Sequence, residues 1–375
     1  MLTRRQALIG AVAATGTAAG LASPLTAAAA PAGPLAHAPY AAGQGVPETL
    51  AEIAAPGQLV AAAEFPLDFV SVSWTGPKGG GVYRLEHNGR WGAWRPLVTG
   101  DADGRTQADP AGPANRLALF GAQKASRYEV KPPPLAENVL IVALNTTDGP
   151  LGVSSLSVST SFATADCAFV NRAGWGADET LRFNPDGTER YPQAYFPVQA
   201  LTVHHTAGDS LGPDHAATIR AIYYTHTITR DFGDIGYHLL IDPNGVVYEG
   251  RWSGEDGLPV FRSPLGDVPH MSNAAHAVGF NAANVGVSLL GDFTGRQPAA
   301  AQRRSLVKVL AALAKLCKVD PLGTVNYVNP ISGATRTVAA ISGHRDWNST
   351  ACPGDAFYPQ LPSVRQEVAR ALRRR

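Results

Sequence analysis

Val338 to Pro359 reads VAAISGHRDWNSTACPGDAFYP. Its opening residues, VAAISG, are a short and nearly all-apolar run suited to a central strand covered on both faces. The residues after Gly343 are too rich in Gly, Pro, Asn and Ser to form a helix. His344 stands just past the strand, and Cys352 comes later in the same loop. A loop of that size can fold back and bring imidazole and thiolate within the ~2.0–2.3 Å that a zinc ion requires of nitrogen and sulfur. The chain has 3 cysteines in 375 residues, so the placement of this one asks for a reason.

A second stretch of the same kind is QALTVHHT, which reads as a strand ending in His204 and His205. Adjacent residues on a strand point to opposite faces, so one histidine can enter a cleft while the other packs. Only one of them can be a ligand. Three protein ligands leave one tetrahedral corner open, the mark of a catalytic rather than a structural zinc site, and such an ion activates water for hydrolysis.

The segments around these two strands predict an α/β domain, a mixed central sheet flanked by helices, over residues 166–375. Asp214 to Arg230 carries Ile219, Ile222, Tyr223 and His226 at helical spacing, with Asp214 as N-cap. GYHLLIDPNGVVYEGR reads as a hairpin turning at Asp242-Pro243-Asn244-Gly245. NVGVSLLG is a second apolar strand. Ala299 to Lys318 repeats Leu306, Val309, Leu310, Leu313 and Leu316 on one helical face, and Pro321 stops it. A last helix starts at Ser363 with Gln366 as its capping-box partner.

The first half differs. FVSVSWTG, GVYRLEHNGRWGAWRPL, VLIVALNTT and LGVSSLSVSTSF alternate apolar and polar residues between turn signals, which predicts a β-sandwich-like accessory domain over 62–165. Trp74, Trp91 and Trp94 fit either a sugar-stacking face or a sandwich core. Residues 31–61, rich in Ala, Pro and Gly, read as a linker. Residues 1–30 pair Arg4–Arg5 with an uncharged Ala/Gly/Leu run and small residues near Ala30, the pattern of a twin-arginine export signal, so a secreted or envelope location is expected.

With 31 Lys plus Arg against 30 Asp plus Glu, the net charge of +1 offers no basic field for nucleic acid or anionic lipid. A hydrophobic content of 45% with 16% charged residues excludes a disordered chain. In an oxidising location at most one pair among Cys167, Cys317 and Cys352 can be a disulfide.

Taken in order, VHHTAG, DIGYHLLIDPNGVVYEGR, HAVGFNAANVGVSLLGDF and ISGHRDWNSTACPGDAFYP resemble the N-acetylmuramoyl-L-alanine amidases of the peptidoglycan recognition protein and phage lysozyme-type family. RAGWGA, Arg172 to Ala177, matches the stretch that opens that domain. The resemblance spans about Val170 to Leu361 and says nothing of residues 31–165. It implies zinc (Zn2+) as cofactor, held by His204, His344 and Cys352, and peptidoglycan or a muropeptide as substrate, cut between the lactyl group and L-alanine. It also implies that Tyr237 orients and stabilises an oxyanion, that Thr350 assists at the same oxygen, and that His276 and Asn281 contact substrate. His205 and His238 could orient a ligand through their ring N–H groups.

Members that bind peptidoglycan without cutting it typically lack a ligand, most often the cysteine. All three residues are present here, which favours an enzyme. The rival readings are a non-hydrolytic receptor on the same fold and an adhesion protein working through its β-rich half. The cysteine pair that many relatives carry after HHTAG is missing, and Cys167 with Cys317 is the alternative disulfide.

Overall fold

A computed structural model describes residues 45–99, 115–153, 169–208, 212–254 and 258–373. The expected export signal, residues 31–44 and Cys167 lie outside the described residues. Pro34–Arg375 forms one compact unit. No helix among the described residues is long and apolar enough to cross a membrane.

The second half is built on a mixed six-stranded sheet. Its strands are β1 (Phe169–Val170), β2 (Ala200–His205), β3 (Leu239–Ile241), β4 (Val247–Glu249), β5 (Asn284–Leu289) and β6 (Ile341–Gly343), in spatial order β1-β4-β3-β5-β2-β6. Only the β3/β4 hairpin is antiparallel; β3 with β5, β5 with β2, and β2 with β6 all run parallel. Parallel strands need crossovers and burial on both faces, and the helices supply both. β6, expected as a central strand, closes the sheet at one edge, because Val338 and Ala339 belong instead to a separate hairpin, Thr324–Val328 with Thr335–Ala339.

Three helices matter for the site: α1 (His215–Tyr224), α2 (Ala300–Cys317) and α3 (Leu361–Arg373). Leu306, Val309, Leu310 and Leu313 of α2 and Val364 and Val368 of α3 pack on Leu201, Val203, Val285, Val287 and Leu289 of the sheet. The opposite face carries α1, whose Ile219, Ile222 and Tyr223 meet Tyr237, Leu240 and Tyr248. Asp214 caps α1 by accepting from the Ala217 N–H at 2.9 Å. The helix then widens into a π turn over Thr225–Thr229. Helix α3 begins at Leu361, two residues before the expected start. Ser363 donates to Glu367 instead of capping, and no box with Gln366 forms.

Among the described residues the first half holds a seven-stranded antiparallel sheet and a separate two-stranded ladder. The main path of the larger sheet runs Leu50–Ile53, Glu137–Asn145, Val60–Thr75, Asn115–Lys131, Val82–His87 and Arg90–Trp91. Register shifts near Leu67 and Phe69 break the two long strands, and such bulges bend a strand and increase its twist. Val70, Val72, Tyr83, Phe120 and Tyr128 form its core. Strands begin inside the expected linker: Gly45–Pro47 forms the two-stranded ladder with Leu151–Val153, and Leu50–Ile53 joins the larger sheet beside Glu137–Asn145.

Trp74 is buried there, with its Nε1 donating to the Pro77 carbonyl at 2.9 Å. Trp91 and Trp94 carry cations against their rings. The Arg84 guanidinium lies 4.8 and 4.6 Å from their rings, Arg127 lies 5.3 Å from Trp91, and Lys131 lies 4.1 Å from Trp94.

The two halves share an interface. Phe69, Val142 and Leu144 of the first sheet pack on Ala217 and Ala221 of α1. Arg220, 1% exposed, donates to the Thr146 carbonyl through Nε and Nη2, and to the Trp175 carbonyl through Nη1.

Candidate metal centre

Strand β2 alternates. Leu201 and Val203 enter the core under α2 and α3, whereas Thr202 and His204 face the other side, where β5 presents Asn284, Gly286 and Ser288. His205 points away from His204, and its Nδ1 accepts from the Phe293 N–H at 3.2 Å. Only His204 therefore turns towards the cluster, as the alternation requires.

The loop after β6 folds back through Arg345. The Arg345 N–H donates to the Cys352 carbonyl at 3.1 Å, its guanidinium bonds the Ala351 carbonyl, and it pairs with Asp355 at 2.8 Å. One turn of 3-10 helix, His344–Asp346, starts the fold-back, and the Asp346 carboxylate accepts from the Gly343 N–H at 2.7 Å. These bonds place His344 and Cys352 beside His204. One donor atom from each of the three lies within 4.8 Å of the others, and all three residues are buried.

Two imidazoles and a thiol are a zinc-type donor set. A tetrahedral ion with the usual nitrogen and sulfur bond lengths would hold those atoms about 3.6 Å apart. The Cys352 sulfur is 3.7 Å from His204 Nδ1, so the residues present fit the group. The sulfur also accepts from the His205 backbone N–H at 3.3 Å, a contact that favours the thiolate. Burial, and after it the neighbouring His344 and His276, hold His204 well below the usual imidazole range, which keeps it neutral as a ligand must be.

Tyr237 precedes β3, is 5% exposed, and sets its ring 5.2 Å from that of His204 and 5.5 Å from that of His226. His226 comes from the π turn and accepts from the Gly236 N–H at 3.0 Å. Sequence reading placed His226 only as a core residue of its helix; nothing in its spacing announces the contact with Tyr237. A cavity of about 30 Å³, room for a water molecule, lies beside Tyr237 and is lined in part by Leu117 and Leu119 of the first sheet. Thr350 stands next to the cluster, its Oγ1 accepting from the Cys352 N–H at 3.2 Å.

His276 and Asn281 are both buried. His276 is 1% exposed, with Nδ1 bonded to His204 Nε2 at 3.0 Å and Nε2 bonded to the Asn284 carbonyl at 2.8 Å. Asn281 spends its side-chain oxygen on the His276 and Ala277 N–H groups, at 2.8 and 2.7 Å. Both are part of the packing behind the cluster. The His238 ring does not touch a ligand; it bonds the Ser272 carbonyl and the Gly286 N–H and packs against His276.

Asn348 escaped the sequence reading. Its Oδ1 lies 3.2 Å from His344 Nε2, and its Nδ2 donates to the Val278 carbonyl at 3.0 Å. The only signal was its position one helical turn after His344. Cys317, half-buried, is a free thiol pushed up to about 12 by burial, so the structure holds no disulfide at that residue.

Residues 194–355 match the family model described as N-acetylmuramoyl-L-alanine amidase. The chain is similar to peptidoglycan recognition protein 1 of Bos taurus, 29% identical over 199 residues that are 52% of this chain and 84% of that protein. It is similar also to the N-acetylmuramoyl-L-alanine amidase of Homo sapiens, 30% identical over 172 residues, 44% of this chain and 24% of that protein. Peptidoglycan recognition protein 3 of Homo sapiens is 28% identical over 191 residues, 50% of this chain and 44% of that protein. The chain thus spans less than half the length of the two human relatives. Among solved structures, Drosophila PGRP-LB aligns at 23% identity and a TM-score of 0.37, covering 52% of this chain and 94% of that one. The residues that match the N-acetylmuramoyl-L-alanine amidase family model are those of the part of the chain that carries His204, His344 and Cys352.

Proposed function

We propose that the chain is an exported zinc amidase that hydrolyses the amide between the lactyl group of N-acetylmuramic acid and the L-alanine of the stem peptide. Its partners are peptidoglycan or muropeptides. The observation that carries the reading is the convergence of His204, His344 and Cys352, a three-ligand set with nitrogen and sulfur donors. Zinc, when bound, supplies a Lewis acid that polarises a carbonyl and lowers the pKa of coordinated water towards ~7.

The chain's own groups supply the rest. Tyr237, beside His204, carries a hydroxyl that donates to the oxygen on which negative charge develops, acting as a donor and not as a base. Thr350 fixes the Cys352 backbone and offers a second hydroxyl to the same oxygen. The Arg345 bonds keep the His344 and Cys352 ends of the loop together, so the ligands need not be gathered during the reaction. The leader with Arg4–Arg5 accounts for delivery, and residues 166–375 act as the amidase domain.

Mass spectrometry of peptidoglycan digested by the purified full chain, with and without a chelator, tests this. Stem peptides with a free L-alanine amino terminus are expected, and chelation stops their release. Tight binding to peptidoglycan with no such peptides would instead make the protein a non-hydrolytic receptor.

A further inference from the structure

Behind the two histidines, each ring is wired to a backbone carbonyl. A carbonyl oxygen only accepts, so each chain of bonds has one possible direction. The Asn284 carbonyl requires the proton of His276 on Nε2, 2.8 Å away. A neutral imidazole with its proton on Nε2 accepts at Nδ1, the His276 atom that faces His204. His204 Nε2, 3.0 Å from that nitrogen, must then donate. The lone pair of His204 falls on Nδ1, the atom 3.7 Å from the Cys352 sulfur.

The second chain has the same logic. The Val278 carbonyl fixes Asn348 with Nδ2 towards it, which leaves Oδ1 facing His344 Nε2 at 3.2 Å. Nε2 must carry the proton, and the lone pair of His344 falls on Nδ1. Both chains end in the one segment HAVGFNAAN, His276 to Asn284. Asn281 pins the front of that segment through two N–H groups, and Asn284 ties its end to Thr202 of β2 at 2.7 Å.

We propose that the segment 276–284, acting directly through His276 and at one remove through Asn348, is a template that sets the tautomer of both histidine ligands, with Asn348 as a positioning residue for His344. The assignment rests on the zinc reading for its consequence, since only the Nδ1 lone pairs can join the sulfur at one ion. In metal sites such outer partners fix ring orientation and raise ligand basicity.

The test uses the full chain with Asn348→Ala and Asn348→Asp. Aspartate keeps an acceptor for the His344 Nε2–H; alanine does not. Three quantities are read: the zinc Kd by chelator competition, the ring 15N shifts of His344 in metal-free protein, and the melting temperature of metal-free protein. Asn348→Ala should weaken zinc binding about 10–100-fold and turn the single Nε2–H tautomer of His344 into a mixture, while Asn348→Asp stays within a few-fold of the parent.

The proposal is overturned if Asn348→Ala keeps both the parent Kd and the parent tautomer. It is equally overturned if Asn348→Asp loses as much affinity and melting temperature as the alanine variant, which would make the residue packing alone. A parent protein that binds no zinc tells against the proposed function, and the 15N shifts of the metal-free protein still decide the tautomer assignment.

Discussion

A Cβ placed on Gly286 would stand 2.6 Å from Cγ of the His276 ring. Glycine in β5 is therefore what lets the imidazole lie against the sheet, and the space it leaves is the seat of the His204 partner. Gly286→Ala should push His276 off its bonds and overpack the site. We expect a loss of about 1–3 kcal/mol in stability together with weaker zinc binding. Gly266→Ala is the control, because a Cβ there meets nothing within 4 Å. Thermal melts and chelator competition on the two variants check this.

Tyr237→Phe should separate metal binding from turnover. The ring still fills its place between His204 and His226, so zinc content stays at the parent level. Loss of one donor to a developing oxyanion costs about 100–1,000-fold in kcat. A parallel zinc assay and peptide-release assay distinguish this outcome from general damage.

The interface between the two halves predicts shared stability. Arg220→Met leaves the Thr146 and Trp175 carbonyls without their buried donor, and we expect a loss of about 2–4 kcal/mol. The first sheet and the amidase domain should unfold in one calorimetric transition before and after the substitution. Excised residues 166–375 would bare Ala217 and Ala221 and should melt lower than the same domain within the full chain.

Acid should destabilise the metal-free protein. Burial lowers His238 to about 4 and His226 to about 3. Above pH ~6.5 both are neutral in the folded and the unfolded chain; below it only the unfolded chain takes up protons, so stability falls with pH until the folded values are reached. Glu249, raised to about 7 by burial, works in the opposite sense between its unfolded value and 7, as the folded state binds its proton first. Two histidines outweigh one carboxyl, and melting temperatures of metal-free protein should decline from pH 6.5 to 4.5. Glu249→Gln should steepen that decline.

Much of the metal centre was legible because its signals are local. A strand that ends in two histidines leaves one of them facing the cleft, and the loop from His344 to Cys352, bounded by Gly343 and by Pro353-Gly354, can fold back on itself. Burial is not local. His276 and Asn281 sit in a segment whose glycine and asparagines look like an exposed turn, yet the segment lies under the cluster because Gly286 gives it room. Asn348 carries no signal beyond its spacing from His344; its orientation comes from the Val278 carbonyl, 70 residues earlier in the chain. In the first half, alternation located strands but could not say whether they stack as two sheets or continue as one. The residues 45–53 were missed because Ala- and Pro-rich composition hides strands that exist only through their partners at 137–153.

X-ray absorption at the zinc edge of the loaded full chain tests the central claim most directly. The account predicts one zinc per chain with a single sulfur neighbour near ~2.3 Å and two imidazole nitrogens near ~2.0 Å, and loss of the sulfur shell in Cys352→Ser. A zinc environment without sulfur, or one unchanged by that substitution, would contradict it.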